Sequence, residues 1–161
     1  IEAYDRFCQG KETPPYLVLA GGKGWLDSGI YKKAEELGRG DLVKFTEYVP
    51  DEMLCPLMCG ALAFVFPSIY EGFGMPPLEA MACGVPVLTT HAASLPEVVG
   101  EDAVVTDPYS PEDIAAGLER LYTDEALRQR LKAAGPKRAA QFTWERSAEQ
   151  LYAVYQEACR E

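Results

Sequence analysis

Hydrophobic residues along the chain fall into short continuous runs separated by stretches with helical spacing. Runs of strand length occur at residues 16–20, 42–45, 62–66, 85–89 and 103–105. Helical spacing is found between them, at residues 28–37, 51–59, 77–83 and 95–99, and Ser28 is a candidate cap for the first of these helices. Near-continuous apolar strands that alternate with helices are typical of a parallel sheet covered on both faces. We therefore predict an α/β fold with one Rossmann-like parallel sheet.

The two ends of the chain have helical patterns only. Ile1, Tyr4 and Cys8 have the spacing of an amphipathic helix tail. In the C-terminal third, a helix capped by Ser110 is predicted over 111–122, and another over 124–134 should end at Gly135-Pro136. A long helix opens at Thr143 and places several large residues on one face, which we interpret as packing residues: Trp144, Ala148, Leu151, Tyr152 and Tyr155.

Length and charge narrow the function classes. A chain of 161 residues without repeats or linkers favours one domain, residues 1–161. The net charge of −10 argues against nucleic acid and against anionic membrane surfaces as partners of this part of the chain, because both need a basic footprint. No apolar stretch approaches the ~20 residues of a membrane helix. A cytoplasmic location is expected from the cysteines rather than from length or charge.

The five cysteines, at positions 8, 55, 59, 83 and 159, are an odd number and favour reduced thiols over a disulfide framework. Cys55 and Cys59 are four residues apart and, with Cys83 and His91, could be imagined as a zinc site. No C-x-x-C pair supports it, so small core residues are the favoured interpretation.

The segment YEGFGMPPLEAMACGVPV, residues 70–87, holds the most informative chemistry. Pro76 and Pro77 suit the first positions of a helix, so Glu71 should lie in the loop before the helix and Glu79 in its first turn. Free amides and the positive dipole end of such a helix attract anions. Gly72 and Gly74 would let a ligand approach the backbone.

Ligands of parallel sheets bind at the carboxyl ends of the strands, here the loops at 21–24, 48–50 and 67–75. Because Glu71 and Glu79 would repel a phosphate directly, they make better acceptors for hydroxyls. A ligand with hydroxyls at both ends and phosphate between fits, which points to a nucleotide sugar. The simpler alternative is that Glu71 ends a strand at the surface and Glu79 only complements the helix dipole.

Three segments carry a family resemblance: PSIYEGFGMPPLEAMACGVPVLTT, LPEVVGEDAVVTDP and FTWERSA. They resemble the C-terminal half of the retaining glycosyltransferases called family 4 or group 1, and the GKGW loop is similar to the bacterial mannosyltransferase-like branch. The resemblance implies the GT-B fold, in which two Rossmann-like domains face a cleft and the C-terminal one binds the donor. It also implies that an N-terminal acceptor domain, and a strand and loop with a diphosphate-binding lysine, precede this chain.

The resemblance assigns roles to residues. Glu71 would be the catalytic residue facing the donor sugar, and Glu79 would bind the ribose hydroxyls. The base would lie near Tyr48 and Val49, against the loop that contains Gly21 and Gly22. Backbone amides around Phe73, Gly74 and Met75 would hold sugar and phosphate oxygens. The other donor-binding positions would be Ser68, Gly72 and Pro76. Two departures bear on base recognition: Glu47 stands where the family often has glycine, and Met58-Cys59 replaces a frequent Tyr-Arg.

The activity implied is transfer of mannose or another hexose, with retention, from a nucleotide diphosphate sugar to an acceptor sugar or lipid-linked glycan. No Asp-x-Asp motif is present, so no metal and no other cofactor is expected. The full-length enzyme could be peripheral at the inner membrane face. Two alternatives remain open, a non-catalytic nucleotide-sugar-binding module and a GT-B nucleotide-sugar epimerase.

Overall fold

A computed structural model describes residues 1–22 and 28–160, and parallel strands form its centre. β1 (Leu17–Ala20) pairs with β2 (Val43–Glu47), and β4 (Val87–Thr90) lies between β3 (Phe64–Val65) and β5 (Val104–Thr106). All five predicted strands are confirmed within three residues. The described strands divide into two parallel sheets where the sequence predicted one, because β3 pairs only with β4 and β1 only with β2.

Eight helices in the described ranges surround the strands. In chain order they are α1 (Glu2–Cys8), α2 (Ser28–Glu36), α3 (Asp51–Cys59), α4 (Met75–Ala82), α5 (Leu95–Val99), α6 (Pro111–Thr123), α7 (Glu125–Ala139) and α8 (Trp144–Ala158). The predicted cap at Ser110 is confirmed, since its hydroxyl accepts a hydrogen bond from the N–H group of Asp113. Thr143, where the last helix was predicted to open, caps α8 in the same way through the N–H group of Arg146. The side chain of Ser28, the other predicted cap, and the GKGW loop from position 23 onwards lie outside the described residues.

β4 shows why the sheet is covered on both faces. Successive side chains of a strand point to opposite faces. Val87 packs with residues of α4 and α5, whereas Leu88 packs with residues of α6 and α7. Both side chains are fully buried, so helices cover this strand on each side.

α6 connects the two sheets. Its residue Leu118 contacts the apolar cluster of α1, β1 and β2 and also the cluster that contains Leu88 of β4. Gly117, beside it, lies so close to β4 that an added Cβ would be 2.7 Å from Leu88 Cδ1. The small residue therefore permits the close approach of this helix to the strand.

Packing overrides the sequence prediction in α7. Gly135-Pro136 was expected to end this helix, but the helix continues to Ala139. Gly135 is buried, and a Cβ at this position would lie 3.0 Å from the carbonyl oxygen of Met81. α7 thus packs backbone against backbone on α4, and this contact stabilises a helix that local propensity alone would end.

The interpretation of the α8 aromatics as packing residues is wrong for the described chain. α8 contains no buried residue, and Trp144 at its start is 82% exposed. Leu151, Tyr152 and Tyr155 are also exposed. Amphipathic spacing predicted the helix correctly but could not show whether any partner covers its apolar face. No helix among the described residues has the length and apolar character to cross a membrane.

Candidate functional site

The loop that joins β3 to α4 leads into a helix N-terminus that no described side chain caps. α4 begins at Met75, and Gly74 before it has a φ of +112°. An alanine Cβ at position 74 would lie 2.8 Å from Cδ2 of the fully buried Leu95. Gly74 is therefore required by backbone conformation and by packing, rather than only by the approach of a ligand.

Gly72, two residues earlier, has no such structural explanation. Its φ is not positive, and a Cβ at this position would have no described protein atom within 4 Å. Glycine here leaves an open space beside the loop backbone. This is the space that a ligand oxygen would need in order to reach the loop amides.

Two hydroxyls that follow β3 in sequence hold the loop in place. Thr90, the last residue of β4, donates a hydrogen bond of 2.6 Å to the carbonyl oxygen of Ser68. Ser94 Oγ lies 3.1 Å from the carbonyl oxygen of Glu71 and 2.8 Å from that of Phe73. The loop backbone is thus fixed to β4 and to the start of α5, and its conformation is set before any ligand binds.

Glu71 lies in the loop, as predicted, and its carboxylate is oriented by Ser68. Ser68 Oγ donates to Glu71 Oε1 over 2.9 Å. The Glu71 side chain is neither fully buried nor fully exposed. Because a carboxylate offers about four lone-pair sites, one hydrogen bond from Ser68 leaves capacity for ligand hydroxyls.

Glu79 is not in the first turn of α4, and that prediction is wrong. The helix begins at Met75, one or two residues earlier than expected, so Glu79 is its fifth residue and lies in the second turn. Gly74, which precedes the two prolines, takes the N-cap position, so the helix starts before the prolines rather than at them. Glu79 is exposed, so its carboxylate is available to a ligand bound beside the helix.

The first turn of α4 offers few free amides. Pro76 and Pro77 have no N–H group, and the N–H of Leu78 bonds to the carbonyl oxygen of Gly74 over 3.4 Å. The donors that remain for an anion are the amides of Phe73, Gly74 and Met75. Their role in holding sugar and phosphate oxygens stays a prediction.

The predicted base-binding residues meet at the carboxyl ends of β1 and β2. The N–H of Gly21 donates to the carbonyl oxygen of Glu47 over 3.0 Å, and Tyr48, which follows Glu47, is 72% exposed. Glu47 has a φ of +57°, which is rare for a residue with a side chain. This left-handed conformation explains why a glycine would suit the position and why the chain turns sharply into Tyr48 and Val49.

A cavity of about 610 Å³ opens beside this pair of strands. Gly21, Gly22 and Glu47 line it, together with Ile1 of the N-terminus and Ile30 of α2. No residue from 68 to 79 lines this cavity. The structure therefore assembles the predicted site as two groups, one in the β3–α4 loop and one at the ends of β1 and β2, without joining them in one cavity.

Sequence reasoning missed Thr90 and Ser94. Thr90 is the last residue of β4 and Ser94 follows it, so both lie at the edge where ligands bind in parallel sheets, and their position was a usable signal. Their partners lie more than twenty residues earlier in the chain, and no periodic pattern reports a contact of that kind.

Comparison with known proteins identifies the chain's relatives. Residues 1–138 match the family described as Glycosyl transferases group 1. The O-antigen chain mannosyltransferase B of Escherichia coli is 42% identical over 139 residues, which are 86% of this chain and 36% of that protein. The sucrose-phosphate synthase of Thermosynechococcus elongatus superposes with a TM-score of 0.83 at 27% identity, over 99% of this chain and 42% of its own.

A third comparison concerns the fold alone. Anabaena Alr3699/HepE, solved in complex with UDP and glucose, superposes with a TM-score of 0.78 at 22% identity. The match covers 98% of this chain and 44% of that protein. The chain thus spans less than half the length of these relatives. The α/β fold expected from the sequence is confirmed.

Proposed function

The chain belongs to the group 1 glycosyl transferases, and from this premise we propose that it is the donor-binding part of a retaining glycosyltransferase. The proposed reaction moves a hexose, mannose first of all, from a nucleotide diphosphate sugar to an acceptor hydroxyl during glycan synthesis. The identity to a mannosyltransferase supports the choice of sugar. The share of that protein that the chain covers, 36%, fits a donor domain whose acceptor domain lies elsewhere.

The observation that carries the proposal is the fixed β3–α4 loop. Thr90 and Ser94 hold its carbonyl groups, and Ser68 aims the Glu71 carboxylate. A carboxylate held in this way is preorganised for the donor sugar, and preorganised polar groups stabilise a transition state without reorganisation at the moment of reaction. We assign Glu71 to the sugar, where it accepts hydrogen bonds from hydroxyls and stabilises positive charge at the reacting carbon.

The diphosphate would be bound next to Glu71 by backbone amides. Negative charge grows on the leaving diphosphate as the sugar–phosphate bond breaks. The dipole of α4, with the amides of Phe73, Gly74 and Met75, favours that charge at the helix N-terminus. We propose that these donors, rather than a metal ion, stabilise the leaving group within this part of the enzyme.

Glu79 is assigned to the ribose. Its exposed carboxylate lies one turn further along α4 than Met75, which suits a ribose beyond the diphosphate. A charge-assisted hydrogen bond contributes about 1.5–3 kcal/mol. Loss of the Glu79 carboxylate should therefore weaken nucleotide binding about ten- to a hundredfold.

Separate replacement of the two glutamates tests the proposal. Glu79→Ala should weaken binding of nucleoside diphosphates to the full-length protein, whereas Glu71→Ala should bind them nearly normally and lose sugar transfer. Titration calorimetry with GDP and UDP measures the first effect, and transfer of labelled sugar measures the second. Glu149→Ala, an exposed glutamate of α8, serves as the control that should change neither.

Three outcomes would contradict the proposal. Equal loss of nucleotide affinity in both glutamate variants would refute the division of roles. Nucleotide-sugar binding without any turnover in the wild-type protein would favour a binding module. Conversion of the donor sugar to its epimer without an acceptor would favour an epimerase.

A further inference from the structure

Three cysteines from distant positions meet at the C-terminal ends of two helices. Cys55 and Cys59 lie on α3, and Cys83 follows the last residue of α4. The sulfur of Cys55 lies 3.8 Å from that of Cys59 and 3.5 Å from that of Cys83, and all three sulfurs lie within 4.8 Å of one another. His91, considered from the sequence as a fourth member, is not part of this cluster in the described chain.

These positions do not fit the interpretation of the cysteines as small core residues. Cys55 and Cys59 are exposed, and Cys83 is only half-buried. Cys8, in contrast, is buried in the apolar cluster of α1 and matches that interpretation. Cys83 packs in part against the apolar cluster of α4 and α5. The exposed thiols of Cys55 and Cys59, which face it, are not explained by core packing.

The spacing of the sulfurs matches the ligand set of a thiophilic metal ion. Thiolate–zinc bonds are about 2.3 Å long, so two sulfurs of a tetrahedral site lie about 3.8 Å apart. The two sulfur–sulfur distances from Cys55, 3.5 Å and 3.8 Å, lie close to that value. We propose that Cys55, Cys59 and Cys83 form a zinc-binding site, with water as the fourth ligand.

Zinc binding at this site releases protons and leaves a small net charge. Three thiols release three protons, and the resulting thiolates bind one Zn²⁺, which leaves a net charge of −1 on the ion and its three ligands. No oxidant is needed. Soft sulfur ligands favour zinc over magnesium or calcium, which take oxygen ligands.

The site would connect α3 to α4 at a distance from the β3–α4 loop. α4 has eight residues and is about 12 Å long, so Cys83 lies at the opposite end of this helix from Gly74. The ion would thus stabilise the helix that carries the candidate site and take no part in sugar transfer, so this inference does not depend on the proposed function.

Metal titration of the reduced, metal-free chain tests the proposal. We expect one Zn²⁺ per chain, and Co²⁺ in its place should give thiolate-to-cobalt charge-transfer absorption. Zinc at a free concentration a hundred times its Kd should raise Tm by roughly 5–10 °C. Cys55→Ser and Cys83→Ser should each weaken zinc binding more than about a hundredfold, since loss of even an outer-shell partner costs 10–100-fold.

Cys159→Ser is the matched control, because Cys159 is exposed but outside the cluster. It should bind zinc like the wild type, and all three variants should keep the wild-type Tm without metal. Absence of stoichiometric binding, or equal affinity in Cys55→Ser and the wild type, would overturn the proposal. The proposal would also be overturned, in favour of a redox pair, if the reduced chain bound no zinc and was then oxidised by air, with loss of two hydrogens, to a Cys55–Cys83 disulfide.

Discussion

Gly72 and Gly74 lie two residues apart in the β3–α4 loop, but alanine should act differently at the two positions, on ligand binding at one and on stability at the other. Gly74 has a φ of +112°, and its added Cβ would lie 2.8 Å from Leu95 Cδ2. Gly72 has no positive φ and no described atom within 4 Å of its Cβ. We expect Gly74→Ala to destabilise the fold and Gly72→Ala to impair only ligand binding.

The loss in free energy of unfolding that we expect for Gly74→Ala has two parts. A left-handed backbone costs a residue with a Cβ about 1–2 kcal/mol. Leu95 is fully buried, so its side chain has no solvent to move into, and overpacking costs about 1–3 kcal/mol. The sum of roughly 2–5 kcal/mol lowers Tm by about 4–20 °C, at 2–4 °C for each kcal/mol in a chain of this size.

Gly72→Ala should leave the free energy of unfolding within about 0.5 kcal/mol of the wild type. In the full-length protein the new methyl group occupies the open space beside the loop, and nucleotide-sugar affinity should fall about tenfold, or ~1.4 kcal/mol. Thermal unfolding of the 161-residue chain measures the stability effect, and calorimetry measures the affinity. Equal Tm values for the two variants, or unchanged affinity in Gly72→Ala, would refute the reasoning.

Further outcomes follow from the same structure. Ser94→Ala removes a hydroxyl that lies within hydrogen-bond distance of two loop carbonyl oxygens. Denaturant unfolding should show a loss of about 0.5–1.5 kcal/mol in the free energy of unfolding, and transfer assays should show a lower rate. An unchanged transfer rate would exclude Ser94 from positioning the loop. Gly117→Ala should cost about 1–3 kcal/mol, because its Cβ would lie 2.7 Å from Leu88; a wild-type Tm would contradict this. Sugar transfer by the full-length enzyme should survive EDTA. The test uses a Cys55→Ser variant, so that the proposed zinc site is removed beforehand. Loss of activity that magnesium or manganese restores would refute metal independence. The isolated chain should bind nucleoside diphosphates weakly. It should transfer no sugar, because correct orientation of the acceptor can lower the activation barrier by about 7–11 kcal/mol. Turnover at the full-length rate would show that one domain suffices.

The candidate site was predictable wherever its chemistry lies within one local segment. Glu71, Gly72 and Gly74 could be placed in a loop before a helix because strand, loop and helix signals follow one another directly in the sequence. The turn that contains Glu79 was predicted wrongly, since helix starts depend on a cap geometry that composition does not report. The role of Ser68 in orienting Glu71 also needed coordinates, although the residue itself was among the predicted positions.

The sequence by itself determined the elements and their order: five apolar strands, the helices between them and the capped C-terminal helices. These depend on hydrophobic period and on hydrogen bonds between residues a few positions apart, and both can be recognised in a linear chain. Only the tertiary structure decided that α7 continues through Gly135-Pro136, that Ser94 holds the β3–α4 loop, and that Cys83 meets Cys55. Each of these depends on contact between segments more than twenty residues apart, and such contacts are set by how helices and strands pack together rather than by local pattern.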